Sequence, residues 1–503
     1  MTRQDLCELW DAQRAAAVDR HTIDVVGIPS VILMERAALA CSHELIALRR
    51  GSALPVVVVC GPGNNGADGF AVARQLHGWG VPVHAVAATV HRNDAAAQQR
   101  ALAGACGVVE NAIDEAPGAA LVVDACLGTG SRGAPRGELA AALAAVRRIV
   151  GPRLAIDVPS GVDPDRGTVH TDAVVATVTV TFGRSKPGLH VTPGRGHAGR
   201  IVVADIGLVA VLEPEMRWSL VDPMAMHGLL QGRSVVRHKG DRGHVVICGG
   251  SRETPGAVVL AASAAFRAGA GLVTFASDDL AVRGAVVASR PEAMLSSVAG
   301  LPETTDALVV GPGLTDAAAQ TAVPALWQTD RRPAIWDAGA LDAVVGVCGE
   351  AGRVITPHPG EAARLLARLL GDPQWSAARV QADRIFAAQQ LTARTGAVVL
   401  LKGEGTIVAH GDRVAIVTLG GPALATAGSG DVLAGIIGAL LARGLDAWSA
   451  ACAGATMHAA AGELARRRHP GTMAGDLVEA LDVAVDALVS PSFADALPHH
   501  RVG

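Results

Sequence analysis

Val56-Val-Val-Val-Cys60 runs straight into Gly61-Pro-Gly-Asn-Asn-Gly-Ala-Asp-Gly69, and a helical stretch, Phe70 to Gly78, follows. Five apolar residues in a row, closed by glycine, suit a parallel strand buried on both faces. Strand, glycine turn and helix form the repeating unit of an open α/β sheet. Similar runs recur at Val81–Ala88, Leu121–Cys126, Leu154–Val158, Ala176–Phe182 and Ile201–Ile206, with helical stretches between them. The alternation predicts a Rossmann-like, doubly wound parallel sheet. Upstream, residues 1 to about 50 read as helices, with Ala15–Val18 and Val31–Leu48 separated by Gly27 and Pro29.

The pattern thins between Gly207 and Arg233, where Glu213, Pro214, Glu215, Pro223 and Met224 fall among mixed residues. A domain boundary is expected there, giving domains 1–212 and 225–503. A second βα series follows: His244–Cys248, Leu272–Ala276, Ala307–Val310, Pro333–Asp337, Val354–Thr356, Val398–Lys402 and Val414–Leu419. A long apolar helix is predicted after Gly430, and another from Ser449, read as its N-cap, to Arg467. The tail from Ser490 is expected to be loose.

Composition narrows the function classes. The chain has 503 residues, half of them apolar and 18% charged, with a net charge of -4. That describes a soluble globular protein and excludes a disordered one. A near-neutral balance argues against a nucleic-acid partner, and 3% aromatics with no Tyr leaves little for base stacking. The eight cysteines form no CxxC pair and read as buried thiols rather than disulfides or zinc ligands. The N-terminus has no signal-peptide core, and runs such as Val432–Ala442 fall short of the ~20 residues of a membrane helix. A cytoplasmic protein is expected, with small-molecule substrates, no membrane partner and a homo-oligomeric state.

Three motifs converge on one crevice in the first half. Gly61-x-Gly63-x-x-Gly66 matches a dinucleotide fingerprint, which would suit a nicotinamide oxidoreductase. The acid expected ~20 residues further on is missing. Asn64, Asn65 and Asp68 instead offer oxygen atoms and hydrogen bonds to a cation or a polar ligand. Asp124 lies in a strand that ends in Gly128-Thr-Gly130, and Asp157 and Ser160 close another strand. Ligands of open α/β sheets bind just beyond such strand ends. A lone aspartate there is often only a helix cap; three polar strand ends together favour a site.

GPGNNGADG, DACLGTG, DVPSG, Thr181-Phe-Gly-Arg-Ser-Lys-Pro-Gly188 and Ala204-Asp-Ile-Gly-Leu208, in this order, resemble the YjeF N-terminal family of NAD(P)H-hydrate epimerases over roughly the first 210 residues. The resemblance implies K+ held by Asn65, Asp124 and Ser160, with Asp124 also catalytic. It implies hydrate contacts at Asn64, Asn65, Gly66, Ala67, Asp68, Gly128, Thr129, Gly130, Ser131, Arg132, Gly133, Ala134 and Asp157. Ala67 and Arg36 depart from the family's glycine and asparagine. Ala67 is read as adding a methyl to a loop that needs a glycine conformation.

The second half carries His238-Lys-Gly240, Gly243-His-Val-Val-Ile-Cys-Gly-Gly-Ser251, Gly311-Pro-Gly-Leu314, Asp337-Ala-Gly-Ala-Leu341, Thr356-Pro-His-Pro-Gly-Glu361, Leu401-Lys-Gly-Glu-Gly-Thr406 and Ala425-Thr-Ala-Gly-Ser-Gly-Asp431. Gly428-Ser-Gly430 opens a helix, so its free amides and dipole favour an anion. Asp431 in the first turn is placed to take a proton from a substrate hydroxyl during phosphoryl transfer; an N-capping role is the plainer alternative. The set resembles the ribokinase-like ADP/ATP-dependent NAD(P)H-hydrate dehydratases over roughly residues 230 to 490, an α/β/α sandwich. The resemblance implies nucleotide contacts at Lys402, Gly403, Glu404, Gly405, Thr406 and Gly430, and hydrate contacts at Ala257, Gly313, His358 and Asp431. Gly339, Gly421 and Ala427 depart from its usual residues, and His358 alternatively caps the helix beginning near Gly360.

The two halves together read as a repair enzyme for hydrated NADH and NADPH (NADHX and NADPHX). The first would epimerise the hydrate, and the second would dehydrate it with ADP or ATP and Mg2+. A kinase that stops at a phosphorylated product, beside a non-catalytic first half, is the alternative.

Overall fold

The computed structural model of the chain describes residues 6–89, 93–211, 216–223, 226, 230, 242–315, 317–348 and 352–488. The His238-Lys-Gly240 motif, residues 213–215, Met224 and the tail from Ser490 lie outside the described residues. The chain forms two compact units, Glu8–Trp218 and Ser219–His499, the second joined by Met1–Cys7. No described helix is long and apolar enough to cross a membrane.

The first strand, β1 (Leu6–Glu8), joins the sheet of the second unit. The Glu8–Trp218 unit holds β2 (Val56–Cys60), β3 (Val83–Ala87), β4 (Val109–Glu110), β5 (Leu121–Ala125), β6 (Arg153–Ile156), β7 (Val178–Phe182) and β8 (Arg200–Ala204). They form one parallel sheet in the order β4-β3-β2-β5-β6-β7-β8. The five-residue apolar run of β2 is explained by its two faces. Val56, Val58 and Cys60 belong to one apolar cluster and Val57 and Val59 to another, so neither face meets water. Connections run outward in opposite directions from β2 and β5, which makes the gap between their carboxyl ends the topological switch point.

In the second unit, β9 (Trp218–Val221) precedes β10 (His244–Cys248), β11 (Leu272–Ala276), β12 (Met294–Ser296), β13 (Ala307–Val310), β14 (Ala334–Trp336), β15 (Arg353–Ile355), β16 (Val398–Leu401), β17 (Thr406–His410) and β18 (Arg413–Val417). The sheet order is β1-β9-β18-β17-β16-β15-β14-β13-β10-β11-β12. The pairs between β10 and β16 are parallel, and β17 pairs antiparallel with both β16 and β18. Its switch point lies between β10 and β13, where helix Ser429–Ala442 packs.

Three sequence expectations change. Residues 1 to 50 are not all helical, because Leu6–Glu8 is a strand ahead of helices Ala12–Arg20 and Ser30–Arg49. The segment after Gly207, where the strand pattern thins, nonetheless carries β9, and Leu220, Val221, Met226 and Leu230 are buried. Its apolar residues are spaced too widely to read as one run. The helix after β2 starts at Asn64, not Phe70. Gly66 and Gly69 are poor helix formers, but they serve close packing: a Cβ at Gly66 would overlap the Gly61 carbonyl oxygen, and one at Gly69 would lie 2.5 Å from Ala125 Cβ. Helix Ala447–Arg468 is capped by Asp446, which accepts from the Ser449 N–H at 2.9 Å; Ser449 lies inside it.

Candidate active sites

The first site forms at the β2/β5 switch point. Asp124 is in β5 and fully buried. Its Oδ1 accepts from Ser160 Oγ (2.6 Å) and the Cys126 N–H (3.2 Å), and its Oδ2 from the Ser160 N–H (2.8 Å). Burial raises its carboxyl, and the bonds from Ser160 and Cys126 offset part of that rise. Among the described residues no Lys, Arg or His pairs with it. The buried carboxylate therefore lacks a counter-charge, an arrangement that a bound cation would relieve.

Asp157 follows β6 with φ +66° in the left-handed region, which Asp tolerates better than most residues. Its Oδ2 accepts from the Thr129 N–H and Oγ1, both at 2.8 Å, and its Oδ1 lies 3.2 Å from Lys186 Nζ. Burial alone would raise this carboxyl; the Lys186 charge and the Thr129 bonds outweigh it and hold the group below its ordinary value. Lys186 is itself buried and donates to Thr181 Oγ1 (2.7 Å), the Phe182 carbonyl (3.0 Å) and the Arg184 carbonyl (3.0 Å).

Asn65 Oδ1 and Asp157 Oδ2 flank Gly128, at 3.1 and 3.0 Å from where its Cβ would stand. Among the described residues no hydrogen bond links Asn65 to the Asp124–Ser160 pair. Asn65 Nδ2 and Asp68 Oδ1 are both buried without a partner. Burial, then the charges of Asp157 and Asp19, push the Asp68 carboxyl well up. Asn64 Oδ1 accepts from Asn93 Nδ2 at 2.7 Å. Gly130, Arg132, Gly133 and Ala134 are exposed, while Ser131 Oγ donates to the Gly128 carbonyl at 2.8 Å. Ala67 is fully buried inside a helix and needs no glycine conformation, which corrects the expectation of strain there. Arg36 lines a groove of about 310 Å³ with Val31, Ile32, Glu35, Leu39 and Gln75, none of them a residue of this cluster.

The second site gathers around helix Ser429–Ala442. Its cap, Gly428, sits at φ +84° and no side chain caps the first turn; the Ser429 N–H donates to the Thr426 carbonyl at 3.3 Å, which leaves the Gly430 and Asp431 amides available to an anion. Asp431 lies in the first turn. Burial pushes its carboxyl up to about 7; neighbouring Asp337 adds to the rise and Lys402 opposes it. Lys402 Nζ donates to Asp337 Oδ1 at 2.8 Å and lies 3.7 Å from Glu361 Oε2. Thr356 Oγ1 donates to the same Asp337 oxygen at 2.8 Å. A Cβ at Gly430 would stand 3.4 Å from Lys402 Nζ and 3.5 Å from Asp337 Oδ2, which puts the pair directly against the turn. Ser429 Oγ is bonded to His458 Nε2 at 3.0 Å; burial lowers His458 to about 4 and keeps it neutral.

Ala257 and Gly313 meet: a Cβ at Gly313 would lie 2.8 Å from that of Ala257. The loop that carries Gly313 abuts Asp337, because a Cβ at Gly311 would overlap the Asp337 carbonyl. His358 does cap helix Pro359–Leu370, its Nδ1 accepting from the Gly360 N–H at 3.0 Å, and Glu361 closes the capping box. Its side chain stays half exposed. Gly403, Glu404 and Gly405 form the turn between β16 and β17, with Lys402 before it and Thr406 opening β17.

Two families match along the chain: YjeF-related protein N-terminus over residues 30–188 and NAD(P)H-hydrate dehydratase over residues 245–482. The chain is 35% identical over 500 residues to the bifunctional NAD(P)H-hydrate repair enzyme Nnr of Escherichia coli K12, covering 96% of this chain and 95% of that one. It is 37% identical to the enzyme of the same name from Moorella thermoacetica, covering 94% and 96%. The chain belongs to the bifunctional NAD(P)H-hydrate repair enzyme family. The crystal structure of a Bacillus subtilis ADP/ATP-dependent NAD(P)H-hydrate dehydratase co-crystallized with ATP/Mg2+ matches 54% of the chain and 98% of its own at 30% identity, with a TM-score of 0.49.

Against that family membership, two residues beside the implied contacts were missed from sequence: Lys186 and Asp337. A signal for the first was present. The chain has only three lysines, Lys186, Lys239 and Lys402, among 43 basic residues. Where arginine serves nearly everywhere, a compact ammonium marks a place that a planar guanidinium does not fit. Asp337 carried no such signal, since an aspartate at a strand end usually caps a helix.

Proposed function

We propose that the Ser219–His499 unit phosphorylates the ring hydroxyl of S-NAD(P)H hydrate with ADP or ATP, and that the Glu8–Trp218 unit interconverts the R and S epimers. The observation that carries this reading is Asp431, a carboxylate near pKa 7 beside an uncapped helix N-terminus. Near neutral pH it accepts the hydroxyl proton as that oxygen attacks the terminal phosphorus. The Gly430 and Asp431 amides face the transferring phosphoryl group. Phosphate then leaves with the C–O electrons, a far better leaving group than hydroxide. Loss of a proton from the adjacent carbon restores the ring double bond. Mg2+ would arrive on the nucleotide phosphates and neutralise their charge; glycine at 430 keeps a side chain out of the space beside Lys402 Nζ and Asp337 Oδ2.

In the other unit, Asp157, the Thr129 loop and the unpartnered Asn65 and Asp68 atoms would hold the hydrate. K+ would be held by Asp124 and Ser160 with Asn65. It would supply the counter-charge that Asp124 lacks and fix the turn that carries Ser160.

The test is restoration of NADPH absorbance from NADPH hydrate with Mg2+ and ADP or ATP. Asp431→Asn, nearly isosteric, should cost roughly 10²–10⁴-fold in rate with folding intact. Unchanged turnover in that variant would remove Asp431 from the chemistry.

A further inference from the structure

Arg384 is among the largest fully buried side chains of the protein, and it is buried against expectation. It is the first residue of helix Arg384–Thr395, where the helix dipole disfavours a cation. No carboxylate forms an ion pair with it among the described residues. Burial lowers its pKa to about 10, which leaves it charged at neutral pH. The Glu404 charge offsets part of that drop, but a desolvated cation with no carboxylate in ion-pair contact is costly and persists where its terminal donors are used.

Its Nη1 and Nη2 groups both serve one turn, while Nε is buried without a hydrogen-bond partner. Nη1 donates to the carbonyls of Glu404 and Gly405, the latter at 3.0 Å, and Nη2 to the Leu401 carbonyl at 3.2 Å. Gly403 completes the lock. It sits at φ +142°, and a Cβ there would stand 2.8 Å from Arg384 Nη2. In a trans peptide the C=O of one residue and the N–H of the next point in opposite directions. Pinning the Glu404 and Gly405 carbonyls onto the guanidinium therefore turns the Gly405 and Thr406 amides away from it.

We propose that Arg384 is a positioning residue for the nucleotide: its guanidinium fixes the Lys402–Thr406 turn in the conformation that meets ADP or ATP, without touching the nucleotide itself. This rests on the reading of that turn as the nucleotide contact. The fork geometry matters, since Lys could reach one carbonyl but not span three.

The experiment measures KM for ADP, ATP and NADPH hydrate, with kcat and Tm, on full-length Arg384→Met, Arg384→Lys, Gly403→Ala and Thr406→Ala. Arg384→Met should raise the nucleotide KM about tenfold or more, the scale of a lost charged hydrogen bond, with the hydrate KM within about twofold. Arg384→Lys should fall between Met and wild type, and it covers the case in which the Met variant fails to fold. Gly403→Ala should mimic Arg384→Met by crowding the guanidinium. If Thr406→Ala raises the nucleotide KM but Arg384→Lys and Gly403→Ala lower only Tm, the positioning role is overturned and the nucleotide assignment stands. If all three leave the nucleotide KM unmoved, the assignment of the turn itself falls.

Discussion

Lys402 donates to Asp337 Oδ1 at 2.8 Å, and this pair lies against Gly430, one residue before Asp431. The geometry ties the ionisation of Asp431 to two neighbours of opposite sign. Asp337 raises its pKa and Lys402 lowers it, both secondary to burial.

The first prediction concerns Asp337→Asn. The substitution removes the negative charge that raises Asp431 and leaves Lys402 shared between Glu361 and Asp431, so the Asp431 pKa must fall. Since the base form is active, the acid limb of kcat/KM, expected near pH 7 in the wild type, should move to lower pH. The pH profile with NADPH hydrate and saturating nucleotide is the measurement. An unmoved limb would mean that Asp337 does not set the base.

Asp431 also carries a stability prediction. Its ordinary value is 3.8 and its folded value about 7, so the folded state holds the proton more tightly than the unfolded one. The destabilisation of the folded state is absent below about pH 4, grows through the interval and is complete above pH 7. Asp431→Asn never ionises. It should therefore melt higher than wild type at pH 8, and the gap should vanish toward pH 4. A constant gap across pH would assign the effect to packing.

Much of this architecture was legible in the chain, and the failures have physical causes. The apolar runs gave β2, β5, β10 and β16 because strands buried on both faces need no alternation to be recognised. β1 and β9 escaped because each is three or four residues long and its sheet neighbour lies far along the sequence, β9 for β1 and β18 for β9. At the sites, family motifs supplied Asp124, Asp157 and Asp431. Asp337 and Arg384 act through neighbours more than fifteen residues away, and only the folded chain brings those together.

Ala67 yields a prediction opposite to the one its departure from the family suggests. It is helical and fully buried, so a glycine conformation is not required. Ala67→Gly should cost roughly 0.5–1 kcal/mol and bring no gain in epimer exchange. Thermal unfolding and the rate of R/S interconversion check this. A faster exchange at equal stability would restore the idea of a strained loop.

The last prediction concerns the missing counter-charge of Asp124. Asp124 and Asp157, two buried aspartates of the first site, are treated differently. Asp157 has Lys186 at 3.2 Å and is held below its ordinary value, whereas Asp124 has only hydrogen bonds and is raised. If K+ supplies what Asp124 lacks, the cation binds the folded state and not the unfolded one. Stability then rises with its concentration, by about 2.7 kcal/mol at a hundred times its dissociation constant. The Glu8–Trp218 unit of the full chain should melt higher in potassium chloride than in choline chloride at equal ionic strength. Asp124→Asn should abolish the difference, because it removes the one formal charge among Asn65, Asp124 and Ser160. Thr129→Val, which removes a hydroxyl bond from Asp157, should lower the melting temperature in both salts and keep the difference. Equal melting of the wild type in the two salts would show that Ser160, Cys126 and a proton satisfy Asp124 without any ion.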